Sequence, residues 1–264
     1  MHLMRDRKTH PGSILAAVTG LLLLPLLAGC GDELNREVLR EEMAALDQTW
    51  IPALVTTQQG DRAQAELATE AFRAQWDIFR VKFRDFPADD PHWSARLDSL
   101  DSLVDETVDF VETGESLERA QTRLEEMRHA FRRLRHAIGI EDYFLDHVTE
   151  YHDDLEMITG VVEERPEGTI TPGLMDSLAT MLDGAEEHWD VVSELRFDQE
   201  AFDLDIAAMN RLANLVREHR EALQRMRTAL QEGARAQIRT RASELRETYL
   251  LFFKVFGDFS PITS

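Results

Sequence analysis

Histidine and carboxylate residues in the C-terminal half of the chain have spacings that could hold a metal ion. His152 and Glu156 are one helical turn apart, so both side chains can point the same way from one helix. His188 and His219 belong to the next two amphipathic segments, and His219 lies on an apolar stripe. Imidazole and carboxylate groups on facing helices hold zinc, copper or iron inside helical bundles. The sequence therefore predicts a metal site formed by His152, Glu156, His188 and His219.

A second interpretation of the same residues stays open. Histidines at the border of an apolar stripe are also satisfied by hydrogen bonds to neighbouring side chains or to water, without any ion. The paired Glu-x-x-His sequence of di-iron bundles is missing, and no calcium-loop spacing is present. If the three histidines bind one ion, their side chains must converge inside the fold.

The sequence patterns of the common enzyme classes are missing from the chain. There is no Gly-x-Ser-x-Gly elbow, no phosphate-binding loop, no His-Glu-x-x-His and no glycine-rich dinucleotide turn. We therefore predict that the protein is not an enzyme but a non-catalytic binding or interaction module, with metal-ion or haem binding as the alternative. For an interaction module, we expect an exposed apolar or aromatic patch around Trp50 or Trp93.

The charge of the chain excludes one class of partner. The net charge is −21 over 264 residues. Such a surface repels phosphate backbones, so we predict that the protein does not bind nucleic acid. An envelope protein and a divalent metal ion remain as candidate partners.

Amphipathic helices must position these residues. From residue 35 to residue 259, apolar residues recur at alternating spacings of three and four, which is typical of helices with one buried face. We predict an all-α fold of eight helices, and we expect Pro52 to kink or shorten the first of them because proline lacks a backbone donor. The eight apolar stripes begin at Leu39, Phe72, Leu97, Leu117, Phe144, Leu178, Leu212 and Ile238.

The two halves of the chain share local sequence. Gln75-Trp76-Asp77 matches His188-Trp189-Asp190 in the second helix of each half, and a shift of 118 residues carries Phe131 to Tyr249 and Gly139 to Gly257. The pattern predicts two tandem antiparallel four-helix bundles, residues 30–139 and 140–264. Chance similarity between two helical stretches that are rich in arginine and glutamate is the alternative.

Each half resembles the four-helix bundles of the cytochrome b562 and cytochrome c′ type. The similarity rests on Glu42-Met43-Ala44-Ala45-Leu46, on Gly114-Glu115-Ser116-Leu117-Glu118-Arg119-Ala120-Gln121 and on Ala130-Phe131. The resemblance implies a bundle but not a haem, because Arg132 stands where that family has its histidine, and no Cys-x-x-Cys-His is present. Met43 opposite His129 or His136 would be the remaining haem arrangement, so the cofactor stays unknown.

The N-terminus has the three parts of an export signal. Arg5, Arg7 and Lys8 precede an apolar run from residue 14 to residue 28, which ends in Leu27-Ala28-Gly29-Cys30. These four residues resemble the bacterial lipobox, whose cysteine is lipidated before the signal is removed. The resemblance implies a signal peptide of residues 1–29 and a lipoprotein anchored to membrane lipid through Cys30. Gly31 lacks the retention signal that an aspartate would give, so we expect the periplasmic face of the outer membrane.

Overall fold

The computed structural model describes residues 25–86, 90–114, 116–166 and 169–263, and the side chains in these ranges from Arg36 onward. Within these ranges the chain is helical and has no strand, which confirms the all-α prediction and its eight long helices. A short ninth helix and a 3₁₀ turn at Lys254–Phe256 follow them. The helices are α1 Pro25–Gln59, α2 Arg62–Phe83, α3 Trp93–Glu112, α4 Leu117–His136, α5 Phe144–Glu163, α6 Pro172–Glu194, α7 Ile206–Gln231, α8 Arg235–Phe253 and α9 Ser260–Thr263.

Most of the predicted signal peptide, residues 1–29, lies outside the described part of the chain. Residues 1–24 and the side chain of Cys30 lie outside the described part, so lipidation stays a prediction. In the described part, no helix has both the length and the hydropathy that crossing a membrane requires. Every site discussed below lies within the compact unit of residues 40–264.

Local side chains explain where several helices begin. Four helices start with an aspartate, serine or threonine whose side-chain oxygen accepts a hydrogen bond from a backbone N–H of the first turn. Such caps satisfy donors that have no partner within the helix. The capping residues are Asp61, Ser116, Thr171 and Asp205.

Buried stripes hold consecutive helices together. Within residues 40–264, α2 packs on α3, α3 on α4, α5 on α6, α6 on α7 and α7 on α8, while α5 also contacts α8 and α4. Short connections of this kind place neighbouring helices antiparallel. The core is rich in aromatic residues, with Trp76 and Trp189 among its largest fully buried side chains. The division at Gly139 into two bundles stays a prediction.

Helix α1 continues through Pro52, and the carbonyl that would normally accept a hydrogen bond from position 52 has another donor. The helix continues to Gln59, with Pro52 inside it. Proline has no N–H to donate to Gln48, four residues earlier. Instead, the Asp258 backbone N–H donates to the Gln48 carbonyl at 2.8 Å. Gly257 permits this close approach, because a Cβ there would lie 2.8 Å from Ile51. The C-terminal segment therefore completes the helix at its proline.

The prediction of an exposed apolar or aromatic patch around Trp50 or Trp93 was wrong. Trp50 is 2% exposed and Trp93 is 4% exposed. Each indole N–H donates to a backbone carbonyl, that of Leu124 at 3.1 Å and that of Phe83 at 2.8 Å. Because both rings are buried and hydrogen-bonded, they are core residues and not a docking surface.

Candidate functional site

The three histidines of the predicted metal site lie in three different surroundings. His152 is on α5, His188 on α6 and His219 on α7. In the described residues, one group of ligand atoms is close enough for a metal ion, and it contains His152 and Glu156 together with Glu125 of α4. The structure therefore brings His152 and Glu156 together and leaves His188 and His219 outside that group.

His219 is buried with both of its ring nitrogens in hydrogen bonds. Nε2 is bonded to the Tyr151 hydroxyl, and Nδ1 lies 2.6 Å from the Thr248 hydroxyl. The ring also meets the Trp189 ring at a centroid distance of 4.4 Å. Burial lowers the pKa of His219 to about 3, so the imidazole is neutral. With each nitrogen engaged, His219 has no free ligand atom and acts as a core residue.

His188 forms a pair at the protein surface. Its Nδ1 lies 2.6 Å from a carboxylate oxygen of Asp154, and its side chain is 45% exposed. Solvent and Asp154 together satisfy this ring. Nothing in this geometry directs His188 toward His152 or Glu156.

The histidines considered for haem binding also differ from the methionine in exposure. Met43 is 2% exposed, in the core of the protein. The side chains of His129 and His136 are 45% and 43% exposed, and each lies near an aspartate, Asp153 at 3.9 Å and Asp146 at 3.8 Å. Both imidazoles therefore lie at the surface beside aspartates of α5, while Met43 lies in the core.

His152 differs from the other histidines because it is buried without hydrogen bonds. Its side chain is 10% exposed, and its Nε2 lies 3.3 Å from a Glu156 oxygen and 3.8 Å from a Glu125 oxygen. Neither contact has hydrogen-bond geometry, and Nδ1 has no partner either. The ring stacks on Tyr249 of α8 with an interplanar angle of 15°. Stacking fixes the ring so that its Nε2 edge faces two carboxylates.

A small cavity lies beside His152, among α1, α4, α5 and α8. Its volume is about 30 Å³, which is room for one water molecule or one ion. Polar side chains from all four of these helices meet apolar residues at its wall. Its lining comprises Leu54, Val55, Gln58, Glu125, Arg128, His152, Leu155, Glu156, Thr159, Arg246, Tyr249, Leu250 and Phe253.

Unsatisfied polar atoms are concentrated around this cavity. Ten buried side-chain nitrogen and oxygen atoms in the described residues have no hydrogen-bond partner, and five of them belong to Arg128, His152 and Tyr249. Buried polar groups are normally paired, so a cluster of unpaired ones marks a place where water, an ion or a ligand belongs. We name Glu125, Arg128, His152, Glu156 and Tyr249 the His152 site.

Arg128 contributes the buried positive charge of the His152 site. Arg128 is 4% exposed. Its Nη2 lies 2.9 Å from a Glu125 oxygen, whereas its Nε and Nη1 have no hydrogen-bond partner. The guanidinium lies 5.6 Å from the ring centre of Trp50 and 5.7 Å from that of Phe253. Aromatic faces stabilise a buried cation in this geometry. Arg128 therefore neutralises part of the carboxylate charge without filling the cavity.

Carboxylates in and near the His152 site disfavour one another's ionisation. Burial raises the pKa of Glu125, and the charges of Glu156 and Asp153 raise it further, while Arg128 and His129 act in the opposite direction. Burial also raises the pKa of Asp153, with a further contribution from Glu156. Burial is the main cause of both raised pKa values, and the neighbouring carboxylates add to it despite Arg128. A bound cation would add positive charge there.

Sequence patterns identified His152 and Glu156 but missed Glu125, Arg128 and Tyr249. The two α5 residues share one helix face, which their spacing of four predicts. Glu125 and Arg128 come from α4 and Tyr249 from α8, and these helices meet α5 only in the folded chain. A spacing of three places Glu125 and Arg128 on one face of α4, but sequence does not say which helix that face meets.

The chemistry available at the His152 site is ligand binding by one imidazole and two carboxylates. The ligand atoms of Glu125, His152 and Glu156 all lie within 4.8 Å of one another. The site also offers donors from Arg128 and Tyr249, but no nucleophile paired with a base. Comparisons of this chain with protein-family models, with curated proteins and with solved structures find no match, so its function has to be argued from this site.

Proposed function

We propose that this protein is a lipid-anchored protein of the bacterial cell envelope whose helical domain binds a divalent transition-metal ion at Glu125, His152 and Glu156. One observation supports the binding function above the others: His152 is buried with both nitrogens unpaired, and its Nε2 is within 4 Å of two carboxylates. Leaving a buried polar group unsatisfied costs about 1–3 kcal/mol, which a metal ion at Nε2 would offset.

The ligand types favour a first-row transition metal over calcium or magnesium. Imidazole suits zinc, copper, iron and nickel, whereas calcium and magnesium prefer sites made of oxygen atoms alone. This proposal involves no thiolate ligand, because the single cysteine of the chain, Cys30, is the proposed acylation site. Zn²⁺ is the natural probe, since it accepts both nitrogen and oxygen ligands in a four-coordinate site.

Small movements would complete the coordination. Tetrahedral zinc with ligands at about 2.0–2.1 Å places neighbouring ligand atoms about 3.3 Å apart. The His152–Glu156 distance is already 3.3 Å, and the His152–Glu125 distance of 3.8 Å needs a modest closure. Glu156 is 56% exposed and can rotate freely. The cavity of about 30 Å³ has room for one water molecule as the fourth ligand.

Two features limit the affinity of this arrangement. Arg128 holds a Glu125 oxygen at 2.9 Å, so it competes with a metal for that carboxylate. The Nδ1 of His152 also lacks the carbonyl or carboxylate acceptor that usually orients a metal-binding histidine. Loss of such a partner typically weakens metal binding 10- to 100-fold. We therefore expect reversible binding that weakens in acid, since protons compete for Glu125 and His152.

A zinc titration tests the binding function. Calorimetry with a large excess of Mg²⁺, which occupies weak acidic surface sites, should show one Zn²⁺ per chain. His152→Ala should weaken binding by about 100-fold and Glu125→Gln by about tenfold, because each removes one ligand. His188→Ala is the matched control and should leave the affinity unchanged. Equal affinity of the wild-type protein and His152→Ala would contradict the proposal.

The membrane anchor needs a separate test. Cells given radiolabelled palmitate should label the wild-type protein but not Cys30→Ala, because Cys30 is the proposed acylation site. The wild-type protein should also fractionate with outer membranes. Label retained on Cys30→Ala would contradict the anchor without affecting the metal site.

A further inference from the structure

The outer face of α2 carries an apolar stripe with the spacing of a helix–helix seam. Leu67, Ala71, Ala74, Ile78 and Val81 follow one another at intervals of four, three, four and three residues. Val81 is 76% exposed, Ile78 57% and Leu67 48%. Ala74 is also exposed and Ala71 is half-buried. We name these five residues the α2 stripe.

This grouping differs from the other exposed apolar residues in the described part of the chain. Met157, Val191, Ile206 and Leu251 lie on four different helices, one on each. Single exposed apolar side chains are normal on soluble proteins, whereas an aligned set marks an interaction surface. The opposite face of α2 is already buried in the core through residues that include Phe72, Trp76 and Phe79. The α2 stripe is therefore a second apolar face on the same helix.

The spacing indicates that another helix covers the α2 stripe. An average interval of 3.5 residues keeps a seam facing a partner helix along its length, as in coiled coils. A flat surface or an irregular loop would not require this period. The partner must also accommodate two small residues and two β-branched ones, in the order Ala71, Ala74, Ile78 and Val81.

We propose that the occupant is α2 of a second copy of this chain, packed antiparallel about a two-fold axis. This pairing places Ala71 of one copy opposite Val81 of the other, and Ala74 opposite Ile78. The four layers formed by these residues each join one alanine to one β-branched residue, so that a large side chain fills the space beside a small one. Leu67 lies beyond these layers, at the end of the seam. A parallel pairing would instead set alanine against alanine and isoleucine against isoleucine.

The charges beside the stripe also complement one another in the antiparallel arrangement. Glu70 and Arg84 are exposed, and both occupy the same flanking position of the seven-residue period. Antiparallel packing brings Glu70 of one copy to Arg84 of the other, and does so twice by symmetry. Asp77 lies at the same flank near the axis, where it is paired with Arg73 of its own helix at 3.2 Å. That pairing reduces its repulsion of the second Asp77.

The small area of the α2 stripe predicts a weak, reversible dimer. Five side chains of one helix cover less than the roughly 800 Å² per partner that typical stable interfaces bury. The net charge of −21 on each copy further opposes association. We therefore expect monomers at low concentration and dimers at high concentration.

Sedimentation velocity of the purified protein over a wide concentration range tests this seam. The wild-type protein should shift from monomer to dimer, and Ile78→Glu should raise the dimer dissociation constant at least about tenfold, since it buries an unpaired charge. Ile206→Glu is the matched control, because Ile206 is 79% exposed and lies on α7. It should leave the dissociation constant unchanged. A wild-type protein that stays monomeric, or an Ile78→Glu dimer as stable as wild type, would overturn the proposal.

A charge exchange tests the antiparallel register. Glu70→Arg alone should weaken the dimer several-fold by placing a second guanidinium near Arg84, and the double change Glu70→Arg with Arg84→Glu should restore it. Circular dichroism melting shows whether each variant remains folded. An unchanged dissociation constant in Glu70→Arg, or no recovery in the folded double variant, would overturn the antiparallel pairing.

Discussion

His152 and His219 are both buried histidines on neighbouring parts of the helical domain, yet their surroundings are opposite. Each ring nitrogen of His219 has a hydroxyl partner, from Tyr151 or from Thr248. Neither nitrogen of His152 has a hydrogen bond, although two carboxylates face its Nε2. Burial alone therefore does not identify a ligand. The number of partners that the folded chain already provides separates a core histidine from a candidate binding residue.

The two buried arginines, Arg135 and Arg128, also differ in how many partners the folded chain provides. Arg135 is 3% exposed and lies between two buried carboxylates, bonded to Asp146 and 3.6 Å from Asp47. Tyr143 completes that group, because its hydroxyl donates to Asp47 at 2.7 Å. Arg128, by comparison, has one carboxylate partner and two unpaired nitrogens. One buried cluster is complete within the chain, and the His152 site is not.

Removing Arg135 should give the largest loss of stability. Arg135→Ala leaves the Asp47 and Asp146 carboxylates buried without their cation, and breaking a buried pair in this way costs about 3–5 kcal/mol. Urea unfolding monitored by circular dichroism measures the change. Arg133→Ala, an exposed neighbour on α4, should alter the free energy of unfolding by no more than about 0.5 kcal/mol. Equal losses in the two variants would show that the Arg135 cluster contributes nothing.

Replacing each histidine by leucine should show directly that the two contribute differently to stability. His219→Leu leaves the Tyr151 hydroxyl buried without its partner, so we expect a loss of about 1–3 kcal/mol. His152→Leu removes two unpaired nitrogens in a similar volume and should be nearly neutral in metal-free buffer, because no hydrogen bond is lost. Urea unfolding in the presence of a chelator measures both. A larger loss for His152→Leu would contradict the comparison.

His219 should make the free energy of unfolding depend on pH. Its pKa is about 3 in the folded protein, against about 6.5 in the unfolded chain. The unfolded state therefore binds more protons between these values, so the His219 contribution is present above pH 6.5 and is lost as the pH falls toward 3. Asp47 acts in the opposite direction, because burial raises its pKa to about 6 and its ionisation destabilises the fold as the pH rises.

The wild-type protein and His219→Leu, unfolded side by side from pH 7 to pH 4, isolate the histidine. Both proteins carry Asp47, so its effect cancels in the difference. The stability advantage of the wild-type protein should shrink steadily with acid. A difference that stays constant with pH would mean that His219 binds its proton equally well in the folded and unfolded protein, which would contradict the lowered pKa.

Sequence periodicity predicted the fold class and one half of the candidate site. Repeated three- and four-residue spacings require helices, and the spacing of His152 and Glu156 requires a shared face. The partners of each face depend on how helices pack, so Glu125 could not be assigned to His152. His219 lies on a buried stripe as predicted, but two hydroxyls from other helices already occupy it. Trp50 and Trp93 were misjudged because the backbone carbonyls that accept their N–H groups belong to other helices, that of Leu124 on α4 and that of Phe83 at the end of α2.

The metal site is tested most directly by NMR of the histidine side chains. Long-range ¹H–¹⁵N spectra of the labelled protein, recorded before and after one equivalent of Zn²⁺, report each imidazole separately. The resonances that are missing from the spectrum of His152→Ala belong to His152. In the wild-type protein these resonances should shift when Zn²⁺ is added, and that of Nε2 should shift most, while the resonances of His219 and His188 stay in place. Unchanged His152 resonances, or shifts at His188 or His219 instead, would contradict a metal site at Glu125, His152 and Glu156.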